Sequence, residues 1–249
     1  MQPDNYIYGR NAVLEYLEHK PGHISKIYLK QQLQGRPVRD VEQMASQNRI
    51  PVQRVPGRKL AEMVGSVNDQ GIVAAITPAS YVELEDWLED ADIAHNPVIL
   101  ALDEIEDPHN FGAVVRTALA CGVDAVMVSK HRQATISGGV MKASAGAILR
   151  MPVVRVVNLN QALLKLKDTG FWICGTDMEG SRDFRTQDYR MPLVVILGSE
   201  EKGIRKKTRE HCDMLVHIPM KNRVESLNAS VSGALICYEI LRQREPEPE

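Results

Sequence analysis

Three short stretches of this chain concentrate residues able to hold or activate a ligand. The first is 214–233, MLVHIPMKNRVESLNASVSG. A strand-like run breaks at Lys221–Arg223, and Ser226, Asn228, Ser230 and Ser232 then lead into an apolar helix. Small hydroxyl and amide residues at a strand-to-helix junction leave backbone amides free for a ligand. The same residue types also favour helix starts for local reasons, so this stretch alone supports an ordinary N-cap as well. The second stretch is NFGAVVRT, 110–117. Gly112 lets the backbone pass close to a neighbour, Asn110 supplies amide donors, and Arg116 supplies a fixed cation suited to phosphate and ribose oxygens. A helix with an exposed arginine is its plainer reading. The third is LGSEEKG, 197–203, a Gly-bounded turn in which Glu200 could accept hydrogen bonds from hydroxyls. It also reads as a simple strand-to-helix turn.

The elements around these stretches predict an α/β chain. At the N-terminus a short strand, a turn at Gly9 and a helix with Ala12, Val13, Tyr16 and Leu17 on one face come first. ISKIYLK (24–30), a helix near 37–48, IPVQRV (50–55), a short helix at 57–65 and GIVAAITP (71–78) complete a β-α-β-α-β-α-β order. Arg36, Arg39, Arg54, Arg58 and Lys59 punctuate its loops, as an RNA-facing or merely solvated surface would. From 97 onward, apolar runs at 97–105, 124–130, 152–158, 171–178, 192–200 and 214–219 read as six strands. Helices are expected at 107–122, 137–148, 159–170, 202–212 and 226–244. Near-continuous apolar strands between helices imply a parallel sheet covered on both faces. Ligands of such sheets sit beyond the carboxyl ends of the strands, where the three stretches fall.

Charge is unevenly spread. Residues 1–76 carry ten Lys/Arg against seven Asp/Glu, 97–249 carry twenty against nineteen, and 77–96 carry six acidic residues and no basic one. Pro78 and Pro97 flank that acidic segment, which predicts a boundary: a first domain over 1–76, a linker over 77–96 and a second domain over 97–249. An acidic linker would be repelled from RNA. The helix expected at 202–212 is basic, with Lys202, Arg205, Lys206, Lys207 and Arg209 available to track phosphates. No apolar run approaches the roughly 20 residues of a membrane span. The start, MQPDNYIYGRNAV, lacks the pattern of a signal peptide. Cys121, Cys174, Cys212 and Cys237 are far apart in apolar company, as reduced core thiols of a cytoplasmic protein would be. No metal site is expected. The chain also lacks a G-x-G-x-x-G turn after its first strand and a P-loop, which argues against a dinucleotide or Rossmann-type site.

N-x-G-x-x-x-R-T, then LGSE-x-x-G, then IPM-x(5)-SLNASVS resemble, in order and spacing, the three signature motifs of the SpoU/TrmH family. Members are RNA ribose 2′-O-methyltransferases of the SPOUT superfamily. The resemblance covers 97–244, and IYGRNAVLEYL resembles the small ribosomal-protein-like RNA-binding domain of many members. The whole chain is similar to the branch that modifies a guanosine of bacterial 23S rRNA. The resemblance implies a deep trefoil knot, a homodimer whose first motif completes the partner's site, and S-adenosylmethionine as methyl donor. It implies cofactor contacts around Thr176, Gly198, Ile218, Met220, Leu227 and Ser230. It implies catalytic or substrate-positioning roles for Asn110, Arg116, Glu200, Ser226 and Asn228. A guanidinium is a poor base, so Arg116 is expected to stabilise the developing ribose alkoxide and anchor phosphate rather than abstract the proton. Two residues depart from the pattern. Glu201 replaces a usual glycine, and Glu225 stands where a small or hydroxyl residue is common. A tRNA substrate is the near alternative, and a non-enzymatic RNA-binding assembly protein the alternative of a different class.

Overall fold

The computed structural model describes residues 6–76, 81–178, 181–200, 202–221 and 226–245. Glu201, Arg223 and Glu225 therefore lie outside the described residues. The chain divides into two compact units, one of residues 1–80 with 135–150 and one of 81–134 with 151–249.

The first unit contains β1 (Tyr6–Tyr8), α1 (Arg10–His19), β2 (Ile24–Lys30), α2 (Arg36–Gln47), β3 (Val52–Val55), α3 (Gly57–Val64) and β4 (Ile72–Ile76). This is the alternation predicted from the apolar runs. The sheet order is β1-β4-β2-β3, with β4 antiparallel to both neighbours and β2 parallel to β3. α1 buries Ala12, Val13, Tyr16 and Leu17, the face read from its periodicity. Gly9, at φ 88°, makes the turn between β1 and α1 in a region that favours glycine.

The second unit contains α4 (Leu84–Asp90), β5 (Val98–Asp103), α5 (Pro108–Ala120) and β6 (Ala125–Ser129). After α6 (Gly138–Ala143) come β7 (Val153–Val156), α7 (Leu159–Asp168), β8 (Trp172–Thr176), β9 (Arg182–Asp183) and β10 (Leu193–Gly198). α8 (Lys206–Arg209), β11 (Met214–His217) and α9 (Ala229–Arg244) close it. The seven strands run in the order β7-β6-β5-β10-β8-β11-β9, and every pairing is parallel. Every residue of β5 is buried, which explains the unbroken apolar runs. The order turns back at β5 and β10: β6 and β7 extend to one side, and β8, β11 and β9 to the other. Such a switch point opens a crevice at the carboxyl ends of the strands.

Four differences from the expected elements have physical causes. The basic helix shrinks to Lys206–Arg209 because Arg205, immediately before it, is tied down by Asp103. The helix expected over 137–148 is only α6, since Ala145 (φ 49°) and Gly146 (φ 83°) take left-handed conformations, and it clusters with the first unit. β9 is a two-residue strand with no apolar signature, RD, so a period-2 pattern could not reveal it. Of the acidic segment, residues 81–96 are counted with the second unit. Leu84 and Trp87 enter its core, and Val82 bridges to Val154. No described helix is long and apolar enough to cross a membrane.

Candidate functional site

A cavity of about 570 Å³ opens at the carboxyl ends of β8, β10 and β11. Three loops after those strands wall it. Leu197, Gly198, Ser199 and Glu200 come from the end of β10, Thr176, Asp177 and Met178 from β8, and Ile218, Met220, Ser226 and Leu227 from the path between β11 and α9. The walls mix apolar side chains with a few polar groups, as small-molecule sites of this size do.

The β10 turn is sterically determined. A Cβ on Gly198 would lie 2.0 Å from the carbonyl carbon of Gly203, so no other residue permits this closure. Gly203 itself has φ 62° and donates its N–H to the Ser199 carbonyl at 2.8 Å. Thr176 Oγ1 donates to the Ile196 carbonyl at 3.0 Å, locking β8 to β10 beneath the cavity.

At the rim Glu200 gathers two motifs. Its Oε1 accepts from Asn110 Nδ2 at 3.0 Å, from Asn228 Nδ2 at 2.5 Å and from the Ala229 N–H at 3.2 Å. Asn228 Nδ2 also donates to Asn110 Oδ1 at 2.9 Å, closing a triangle of side chains 28, 90 and 118 positions apart. Asn228 is the N-cap of the 16-residue α9, and its Oδ1 accepts from the Ser230 N–H at 2.9 Å and from Ser230 Oγ at 2.5 Å. Both readings of the stretch before α9 are therefore true of Asn228: it caps the helix and it belongs to the polar network. A carboxylate at a helix N-terminus is also favoured by the helix dipole.

The remaining site residues fall in three places. Thr176, Gly198, Ile218, Met220 and Leu227 line the cavity with Glu200 and Ser226, whereas Ser230 does not line it and serves Asn228. Asn110 and Asn228 flank the cavity through Glu200. Arg116 is exposed on α5, does not line the cavity, and has no partner among the described residues.

Four further groups stand here outside the three motifs, Lys206 and Arg209 among them from the basic stretch expected to track phosphates. Asp177, Lys206, Arg209 and His217 line the cavity, with Arg209 Nη1 3.1 Å from Asp177 Oδ2. His217 Nδ1 lies 2.9 Å from Ser181 Oγ. Their signal was positional, since Asp177 and His217 sit at strand carboxyl ends. Buried Asp103 grips Arg205 Nε at 2.7 Å and its backbone N–H at 3.1 Å. Two of the five cations of the expected phosphate-tracking helix are thus already paired with carboxylates. Elsewhere, on α1, Glu15, Glu18 and His19 bring three potential ligand atoms within 4.8 Å of one another, a grouping not foreseen from spacing.

The thiols take no part. Burial pushes Cys212 and Cys237 up to about 12 and raises Cys174 and Cys121, so all four stay protonated and unreactive near neutrality.

This fold and this rim define a class. Residues 97–238 match the model of the SpoU rRNA Methylase family, and residues 6–82 match that of RNA 2′-O ribose methyltransferase substrate binding. YacO of Bacillus subtilis (strain 168), which bears the name of a TrmH family tRNA/rRNA methyltransferase, is 39% identical over 100% of this chain and 99% of its own. A Staphylococcus saprophyticus protein named for the same family is 40% identical over 96% of this chain and 95% of its own. Among solved structures, the SpoU methyltransferase AviRb of Streptomyces viridochromogenes, crystallised with AdoMet, shares the fold at TM-score 0.81. It is 22% identical, over 96% of this chain and 89% of that one. The chain belongs to the SpoU family and is an RNA methyltransferase.

Proposed function

We propose that the protein transfers a methyl group from S-adenosylmethionine to the 2′-hydroxyl of a guanosine ribose in 23S rRNA, as an enzyme of the RlmB type. The observation that carries this reading is the Asn110–Glu200–Asn228 triangle at the rim of a cavity of suitable size. The cavity fits the donor chemically. Ile218, Met220 and Leu227 offer an apolar wall, Gly198 permits close backbone approach, and Thr176 and Asp177 supply polar edges. S-adenosylmethionine, when bound, supplies an electrophilic methyl for in-line attack by a ribose oxygen.

The chain's own residues then have positioning to do, which can supply much of the barrier reduction. Glu200 holds Asn110 and Asn228 in one arrangement, so that the rim presented to the incoming ribose has little freedom. Ser226, exposed at the cavity edge, adds a hydroxyl. Arg116 stabilises the developing alkoxide and anchors the adjoining phosphate. Because Arg116 does not line the cavity of its own chain, this reading assigns it to the partner's site in a homodimer. The dimer face is supported by Val231, Leu235 and Tyr238, exposed apolar residues at i, i+4 and i+7 on α9. The chain is further proposed to be knotted through the loops around the cavity and to work in the cytoplasm. Residues 1–76 are proposed to dock the RNA, with 77–96 joining them to the catalytic domain at 97–249.

The relatives' names include both tRNA and rRNA. Mapping ribose methylation across total RNA with and without the gene separates the targets. Loss of one 23S guanosine is expected, and loss of a tRNA site or of none overturns the rRNA assignment. Arg116→Ala is expected to lower methyl transfer by at least about a hundredfold while S-adenosylmethionine binding, followed by calorimetry, stays intact. Unchanged turnover would remove Arg116 from the mechanism.

A further inference from the structure

A second cavity, of about 310 Å³, lies at the carboxyl ends of β5, β6 and β7. It has no part in the site above, yet it adjoins it: Arg205 lines this cavity, while its chain neighbours Ile204 and Lys206 line the first. Its volume is at the lower end of small-molecule sites, roughly 300–1,000 Å³, so it suits one mononucleotide rather than a folded segment.

Its polar groups are fixed from beneath. Buried Asp103 pins Arg205, and Glu104, with only 12% of its side chain exposed, is shared by Arg205 Nη1 at 3.4 Å and Arg132 Nη1 at 3.3 Å. Glu104 (φ 64°) and Arg132 (φ 52°) both take the left-handed conformation, a cost tolerated where a loop must hold its residues in place. The Arg132 side chain is 71% exposed, so most of its five N–H donors remain available at the mouth.

The rest of the lining suits a base. Val157 is 78% exposed and presents an apolar surface. Asn158 uses its Oδ1 to cap α7, accepting from the Asn160 and Gln161 N–H groups, which leaves its Nδ2 to donate. Asn160 Oδ1 is buried without a hydrogen bond among the described residues, a cost that a base N–H could offset after a turn of the amide.

We infer that this cavity is a second subsite for the RNA substrate, taking one nucleotide with its base against Val157, Asn158 and Asn160 and its phosphate at Arg132. The inference rests on the proposed RNA methyl transfer for its substrate class. It adds a reason why the target nucleotide is recognised within its neighbours: a nucleotide seated here is held beside the one being methylated.

The test uses the full-length protein, total RNA from a strain lacking the gene, and the exposed-site variants Arg132→Glu and Val157→Asp. Arg190→Glu, near the amino ends of the strands, is the control. RNA affinity by filter binding and methyl transfer are measured in parallel. Each of the two cavity variants is expected to weaken RNA binding roughly tenfold, with the loss in kcat/KM falling mainly on KM, and S-adenosylmethionine affinity is expected to hold. Arg132→Glu should also flatten the slope of log affinity against log salt by about one phosphate contact. Arg190→Glu should change none of these. Binding within twofold of wild type for both cavity variants overturns the subsite, as does an equal loss in the control. Absence of methyl transfer by the wild-type protein would instead overturn the proposed reaction, and the binding comparison would still decide the subsite.

Discussion

Glu200 is the residue on which the site turns. It is exposed, yet one of its oxygens accepts three N–H donors from two motifs and a helix start. A charged acceptor strengthens each of those bonds, and the geometry of Asn110 and Asn228 depends on it. Glu200→Gln keeps an acceptor oxygen and loses the charge, so its turnover should fall by roughly tenfold to a hundredfold. Glu200→Ala, which leaves the two amides without their shared anchor, should fall further. Steady-state methyl transfer measures both, and a wild-type rate for Glu200→Gln would show that the charge does not matter. Arg116 contrasts with Glu200. It is exposed on α5 and has no partner among the described residues, which is why it is proposed to act in the partner's site.

α9 carries that site at one end and is anchored at the other. Asn228 caps its first turn. At its last, the half-buried Arg244 donates to the Tyr189 carbonyl from Nε at 3.0 Å and from Nη2 at 2.6 Å, to the Met191 carbonyl at 2.7 Å, and to Asn96. A guanidinium at a helix C-terminus also meets the negative end of the dipole. Between the ends, Gly233 lets α9 lie against β10, since a Cβ there would come within 2.7 Å of Leu197 Cδ1. Removing the cation leaves three carbonyls without a donor, so Arg244→Met should cost about 2–4 kcal/mol. A urea titration reads this as a lower midpoint at unchanged slope. An unchanged midpoint would mean water replaces the guanidinium without cost.

The whole molecule has two properties that no element has alone. The first is its response to base. Cys212, Cys237 and Tyr16 are pushed up to about 12, and Cys174 and Tyr189 are raised as well, all chiefly by burial. The folded state then holds protons more tightly than the unfolded one, whose thiols and phenols ionise near 9 and 10. The stability these groups contribute is complete below about pH 9 and is lost as pH rises from there toward 12. The urea midpoint should therefore fall steadily between pH 8.5 and about pH 11, and a flat profile would contradict their burial. The second property is the proposed dimer. Arg116→Ala and Glu200→Ala are each inactive on this reading, but a mixed dimer carries one site with an intact Glu200 facing an intact Arg116. Random mixing of the two should restore about a quarter of wild-type activity. No recovery would place Arg116 within its own chain's site.

The sequence determined much of this by local means. Apolar runs and turn residues located most strands and helices of both units, β9 and the lengths of α6 and α8 excepted, because period and propensity act over neighbours. The resemblance, not the local pattern, named Thr176, Gly198, Ile218, Met220 and Leu227, and the structure gathers them around one cavity. Only the tertiary structure decided the strand order, since every parallel strand reads as the same apolar run whichever neighbour it finds. Only the fold could join Asn110, Glu200 and Asn228, which no local rule relates. It also tied two of the five cations of the expected basic helix into ion pairs, as Asp103 and Asp177 reach Arg205 and Arg209 from the ends of other strands. A local pattern can say that a residue carries chemistry, but the partner that holds it in place arrives from elsewhere in the chain.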